Sequence, residues 1–253
     1  MMDKIAVLSD IHGNIPALDA VLEDVRLRGL TKVLCLGDLV GKGPQPEAAV
    51  DRIRALCDTV VMGNWDHLVA QPTEHEDLLW HQRRLGAERL HWLGSLPFSH
   101  ELLMSGRTIR LFHASPVSVY TRVQPWAPME DRLAMFDHTE QTGTPDGGRL
   151  PDVVGYGDIH NAYVQNLEGR TLFNTGSVGN PLDMPQASYA VLEGVEGSAA
   201  PAAFSIQLIR VPYDIELAVR LAEQAQMPAL APYVQELRTG RYRGLKDTNN
   251  PTK

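Results

Sequence analysis

An α/β fold with a parallel sheet, and a second sheet stacked on it, is predicted by three observations. Compact apolar runs at 5–8, 32–36 and 59–62 alternate with two segments in which apolar residues return at helical spacing. That β-α-β-α-β order is the sequence form of a parallel sheet covered by helices. The second half is richer in short strands, at 108–112, 153–154, 171–173, 188–192 and 204–211, and these call for the further sheet. Finally, 253 residues of ordinary globular composition, 43% hydrophobic and 21% charged, can bury a large core without forcing two domains.

The first run, Ile5-Ala6-Val7-Leu8, has the length and apolar character of a buried strand. Pro16 follows where the first turn of a helix tolerates proline, and Leu18, Val21, Leu22 and Val25 supply that helix with an apolar face. The second strand leads into Gly37-Asp38-Leu39-Val40-Gly41 and the turn-rich Lys42-Gly43-Pro44-Gln45-Pro46. Glu47 then opens a helix faced by Val50, Ile53 and Leu56 or Cys57. The third strand, 59–62, ends in Gly63-Asn64-Trp65-Asp66-His67. Thr73 and Glu76 have the spacing of a capping box and start a helix to about Leu96. The strand at 108–112 ends at His113. The stretch 115–152, with Pro116, Pro125, Pro128 and Pro145 around a helix from Met129 to about Thr139, has the character of a lid. Val153 and Val154 restart the sheet ahead of Gly155-Tyr156-Gly157-Asp158-Ile159-His160. Asp214 caps a helix to about Gln226, and a short helix surrounds Tyr233. The polar residues 246–253 read as a disordered tail, leaving 1–245 as a single domain.

A net charge of −8 argues against a broad nucleic-acid surface or an anionic membrane surface. It leaves room for a small phosphate substrate, because bound metal ions reverse the local sign. No apolar run has the length of a signal core or a membrane span. Cys35 and Cys57 have neither metal nor redox spacing and read as reduced structural thiols. The expectation is a cytoplasmic protein.

Five strand ends carry metal-competent side chains: Asp10 with His12, then Asp38, Asn64, His113, and Asp158 with His160. Ligands of open α/β sheets bind beyond the carboxyl ends of the strands, so five segments deliver oxygen and nitrogen donors to one rim. In near-extended backbone, residues two apart face the same side, so Asp10 and His12 are expected to converge on one cation and Asp158 and His160 both to face the rim. Three carboxylates, three imidazoles and one amide exceed the needs of one ion and suit two. Mixed O/N donors without thiolate favour Mn, Fe, Zn or Ni over Ca or Mg.

In this order the motifs resemble those of the calcineurin-like metallophosphoesterases, in particular their compact phosphodiesterase-type subfamily. Asp10-Ile11-His12, Gly37-Asp38-Leu39-Val40, Gly63-Asn64-Trp65-Asp66, His113 and Gly157-Asp158-Ile159-His160 follow the family order. Asn174-Thr175-Gly176-Ser177-Val178-Gly179 is similar to a further subfamily segment. The resemblance implies an αββα two-sheet sandwich and two divalent ions, Mn foremost, with Fe, Ni, Co or Zn as alternatives. It assigns Asp10, His12 and His160 to the first ion, Asn64, His113 and Asp158 to the second, and Asp38 to both. Two such ions, ~3.5–4 Å apart, clamp a phosphoryl group and lower the pKa of a bridging water. The hydroxide so formed attacks a small phosphodiester or phosphomonoester, with Asn64 stabilising charge on the equatorial oxygens.

Two positions depart from the family pattern. Trp65 replaces a histidine that protonates the leaving group in many members, and Asp158 replaces the first histidine of G-H-x-H. Trp65 reads either as a cover for a core edge or as a stacking surface for the substrate. His67 reads as an exposed helix residue or as the replacement acid. Arg122 suits phosphate recognition but equally suits a solvated surface. His75, His81, His91, His100 and His138 lack ligand spacing and read as surface residues. The alternative to an enzyme is a metal-binding scaffold, since the family includes a retromer subunit of this fold.

Overall fold

The computed structural model describes residues 2–144 and 148–244. The expected tail at 246–253 lies outside them. The chain begins β1 (Asp3–Leu8), α1 (Ile15–Leu27), β2 (Lys32–Cys35), α2 (Pro46–Leu56), β3 (Thr59–Val60), α3 (Asn64–Ala70), α4 (Glu76–Gly94). It continues β4 (Ser99–Met104), β5 (Arg107–Phe112), α5 (Met129–Leu133) with a 3₁₀ turn at Ala134–Phe136, β6 (Val153–Tyr156), β7 (Tyr163–Leu167) and β8 (Arg170–Asn174). It ends β9 (Ala187–Gly194), β10 (Ser205–Val211), α6 (Ile215–Gln224), α7 (Leu230–Thr239).

Two five-stranded sheets face each other, in the orders β10-β9-β1-β2-β3 and β4-β5-β6-β8-β7. In the first, β1, β2 and β3 are parallel and β9 and β10 antiparallel. In the second, β5, β6 and β8 are parallel between antiparallel edges β4 and β7. The period of two along β1 explains the layering. Ile5 and Val7 enter the core between the sheets with Leu111, Phe173 and Leu192. Ala6 and Leu8 face the other way, against Leu18, Val21, Val50 and Ile53 of α1 and α2. Phe136 and Met135 cover the outer face of the second sheet over Val154 and Leu172. The result is the αββα sandwich.

Several local expectations are corrected. The third strand shrinks to two residues because Asn64 already opens α3. No capping box forms at Thr73: its hydroxyl accepts from His75 N–H, His75 caps α4, and Gly86 at φ 70° kinks that helix. The helix at Met129 ends at Leu133. Of Leu56 and Cys57 it is Cys57, just past the end of α2, that packs on the core with Val50 and Ile53, while Leu56 is 51% exposed. Strands β4 and β7 have no counterpart in the sequence reading, since both are half-exposed edges with polar residues between apolar ones. His81 is buried and donates from Nε2 to Gly41 O at 2.8 Å. His138 is half-buried and takes a hydrogen bond from Arg110. Neither is a surface residue.

Candidate metal centre

The parallel strands of both sheets end on one side. β1 is followed by Asp10 and His12, β2 by Asp38, β5 by His113, and β6 by Asp158 and His160. The backbone there is not extended. Asp10, His12, Asp38, Asp158 and His160 all sit at positive φ, between 49° and 63°. Left-handed backbone is uncommon for such residues and persists only where the surroundings over-determine it. The surroundings are visible. Asp10 N–H donates to Gly37 O and His12 N–H to Asp38 O, which ties the two loops together. Gly157 makes room for the approach of the second sheet: a Cβ there would lie 2.0 Å from Ser9 Oγ.

Backbone carbonyls orient all three imidazoles alike. His12 Nδ1 donates to Val40 O (2.8 Å), His113 Nδ1 to Leu36 O (2.7 Å) and His160 Nδ1 to Asn180 O (2.5 Å). In its neutral form each ring therefore presents a bare Nε2, as a metal-ligating histidine does. His12 Nε2 and His160 Nε2 face each other at 3.1 Å, and Asp10 Oδ1 lies 3.1 Å from the latter. Asp10 Oδ2 is engaged by Ser9 Oγ (2.6 Å) and Asp158 N–H (3.1 Å), whereas buried Oδ1 has no hydrogen-bond partner. Lone pairs aimed at one another with an orphaned carboxylate oxygen fit a cation between them. Asp10, His12 and His160 form one such convergent group, and Asp10, Asp38 and His113 a second.

Asp38 reaches both groups, with Oδ2 3.6 Å from His12 Nε2 and Oδ1 3.4 Å from His113 Nε2. Asn64 Oδ1 lies 3.0 Å from His113 Nε2. Asp158 belongs to neither convergent group. Its carboxylate, 5% exposed, is gripped at both oxygens by Arg122, at 2.8 and 2.9 Å. His67, half-buried on α3, meets Tyr120 Oη at 2.5 Å, and Trp65 donates its N–H to Asp38 Oδ1 at 2.8 Å. The Trp65 ring packs on the α1–α4 core and lines an adjacent cavity.

The electrostatics follow from burial against neighbours. Burial raises the Asp10 carboxyl, but His160, His113 and His12 overcome it and hold the group below the usual carboxylate range. Burial, with His160 and Lys42 nearby, keeps His12 well below its ordinary value and thus neutral. Burial alone lowers His113; the Asp38, Asp10 and Asp158 charges raise it to about 9.

Asp66 is the residue that sequence reasoning passed over. Wholly buried on α3, it accepts from the N–H groups of Asp38 (2.7 Å), Leu39 (3.0 Å) and Gly63 (3.0 Å). It thereby fixes the strained Asp38 loop to the turn bearing Asn64. Ser177 works similarly, donating to Asp10 O and accepting from Asn180 N–H. Asp66 stands three residues after Gly63, a capping spacing, and closes the Gly63-Asn64-Trp65-Asp66 motif; these were its sequence signals.

A family model for the calcineurin-like phosphoesterase superfamily domain matches residues 2–197. The chain is 31% identical over 254 residues to the uncharacterised protein MJ0912 of Methanocaldococcus jannaschii, with 88% of this chain and 93% of that one covered. It is 31% identical over 147 residues to phosphodiesterase YfcE of Escherichia coli K12, covering 47% of this chain and 80% of YfcE. A solved metallophosphoesterase from Sphaerobacter thermophilus superposes with a TM-score of 0.69 at 24% identity, over 93% of this chain and 99% of the other. No helix among the described residues is long and apolar enough to cross a membrane.

Proposed function

The chain belongs to the calcineurin-like phosphoesterase superfamily, and from that premise we propose that it hydrolyses a small phosphodiester with two divalent cations, Mn foremost. The observation that carries the proposal is the convergence of three carbonyl-oriented Nε2 atoms with Asp10 and Asp38. Asp10, His12 and His160 would hold the first ion, Asn64 and His113 the second, and Asp38, in reach of both groups, would serve both. Bound there, the ions supply Lewis acidity and a water that ionises near neutrality.

The chain's own groups do the remainder. Ser9 and the Asp158 N–H occupy one oxygen of Asp10, so the other is aimed inward. The resemblance implies a ligand role for Asp158; the bidentate pair favours a different one, as anchor of Arg122. So held, Arg122 keeps three of its five N–H donors for the phosphoryl oxygens. Asn64 Nδ2 is the further donor to those oxygens. His67 supplies the leaving-group proton through the Tyr120 hydroxyl to which it is hydrogen-bonded. Diester preference rests on the resemblance to the compact phosphodiesterase-type subfamily. Hydrolysis of bis-p-nitrophenyl phosphate by the purified protein tests the reading. Turnover with Mn²⁺ and its loss in EDTA are expected; metal-free turnover, or none with Mn²⁺, Fe²⁺, Co²⁺, Ni²⁺ or Zn²⁺, overturns it.

A further inference from the structure

Two cavities border the metal centre and share a waist. One, of about 260 Å³, is lined by Lys42, Trp65, Asp77, Arg122, Tyr242 and Arg243. The other, of about 160 Å³, is lined by Lys42, Arg122, Trp126, Asp158 and Tyr242. Lys42, Arg122 and Tyr242 belong to both.

The cations lining these cavities differ in how they are balanced. Arg243 pairs with buried Glu236 at 2.7 Å and Arg122 with Asp158. Among the described residues, no carboxylate lies within 4.0 Å of the Lys42 ammonium. The one hydrogen bond the structure gives it goes to Asn180 Oδ1, at 2.8 Å. An ammonium has three N–H donors, so two remain. Asn180 itself is wholly buried, and its Nδ2 has no partner. This contact also fixes where Lys42 stands. The Asn180 carbonyl holds His160, and Val40, two residues before Lys42, holds His12. The ammonium is thus tied to the two loops that orient the first metal's histidines. It faces a crevice walled by Trp65, Tyr242 and Trp126, the last 73% exposed. Desolvating a lone ammonium is unfavourable unless an anion completes it.

We propose that this waist is a second anion subsite. Lys42 binds a phosphate on the non-scissile side of the substrate, next to the one that Arg122 faces, and the aromatic walls take an attached ring. The substrate class is then a nucleotide-like phosphoester with at least two phosphates. The identity of the cleaved ester rests on the phosphoesterase reading; the binding of the second phosphate does not.

Isothermal titration of the Mn²⁺-loaded protein tests the subsite with two probes. These are inorganic phosphate, as the monophosphate, and methylenediphosphonate, the analogue of pyrophosphate whose P–C–P link does not hydrolyse. The analogue should bind at least about tenfold more tightly than the monophosphate, the size expected of a charge-assisted phosphate contact. Lys42→Gln keeps a donor for Asn180 but removes the charge. It should abolish most of that advantage while changing monophosphate affinity less than about threefold, and Lys42→Arg should restore it. Equal binding of the two probes by the wild type overturns the subsite. So does equal weakening of both by Lys42→Gln, or an advantage that survives it. Turnover of bis-p-nitrophenyl phosphate is followed in parallel. Its absence beside a Lys42-dependent advantage sinks the phosphoesterase reading alone; turnover without the advantage sinks the subsite alone.

Discussion

Replacing Asp66 by Asn perturbs the centre without touching a candidate ligand. Oδ2 of Asp66 accepts from Asp38 N–H and Gly63 N–H, and Oδ1 from Leu39 N–H. An amide has one acceptor oxygen. With that oxygen in the Oδ2 position, two bonds survive in neutral form and the amide NH₂ meets the Leu39 N–H, donor against donor. One charge-assisted bond is lost, worth ~1.5–3 kcal/mol, and a buried N–H is left unsatisfied at ~1–3 kcal/mol. A net loss of about 3 kcal/mol is expected, which for a chain of this size lowers the Tm by roughly 6–12 °C. The same bonds hold Asp38 at φ 53°, so the donor set loosens as well. Supporting contacts of this kind typically contribute ~10–100-fold to metal affinity. Thermal melting followed by circular dichroism reads the first effect, and calorimetric Mn²⁺ titration the second. An Asp66→Asn protein that melts within about 2 °C of wild type and binds Mn²⁺ with unchanged affinity refutes the reasoning, since the mutation would then have removed nothing that holds the loop.

Asp38→Asn should nearly abolish turnover with the fold intact, because it removes the charge that reaches both donor groups; a variant retaining most activity removes Asp38 from the bridge. Asp158→Asn should keep two bound metals by elemental analysis but weaken substrate binding, because Arg122 loses its anchor; a fall to one metal restores Asp158 as a ligand. Trp65→His should speed poor leaving groups more than good ones, with up to ~10²–10⁴-fold available from general-acid help; equal effects place residue 65 away from the leaving oxygen. His81 is buried, chiefly by desolvation held at about 4 against an ordinary 6.5, so the unfolded chain binds the extra proton between those values. Stability should therefore fall as pH drops from 6.5 to 4, by about 3 kcal/mol, and His81→Gln should flatten that part of the denaturation profile; an unchanged slope assigns the acid sensitivity elsewhere.

The parts legible in the sequence share a physical basis. Each donor of the centre leaves the end of a strand, and strand ends are marked locally by apolar runs giving way to glycine and polar residues. The order of Asp10, His12, Asp38, Asn64, His113 and His160 could thus be read before any contact was known. The conformation of those ends could not. Positive φ at five aspartates and histidines is imposed by hydrogen bonds from other loops, such as Asp10 N–H to Gly37 O, and extended backbone was the natural expectation without them. The groups that orient the imidazoles are equally silent, because Val40, Leu36 and Asn180 act through backbone carbonyls, which every residue has. Strands β4 and β7 escaped because an edge strand buries too little to need an apolar run.

Asp158 shows the same limit within a single side chain. Its position two residues before His160 states which strand end it leaves, and the motif order then implies a metal ligand. Its partner in the structure, Arg122, lies 36 residues earlier in an irregular stretch that carries no periodic signal. Spacing encodes which groups arrive at the rim; it does not encode which of them win a contested carboxylate. A guanidinium gripping both oxygens is a strong competitor for a hard cation, because its fork matches the carboxylate and stays charged at every accessible pH. On the proposed reading the second metal would then rely on Asp38, His113 and Asn64, with the Arg122 guanidinium as a fixed positive charge paired to Asp158. An aspartate at 158 in place of a family histidine is thus coherent with a centre in which one cationic role passes from the ions to an arginine.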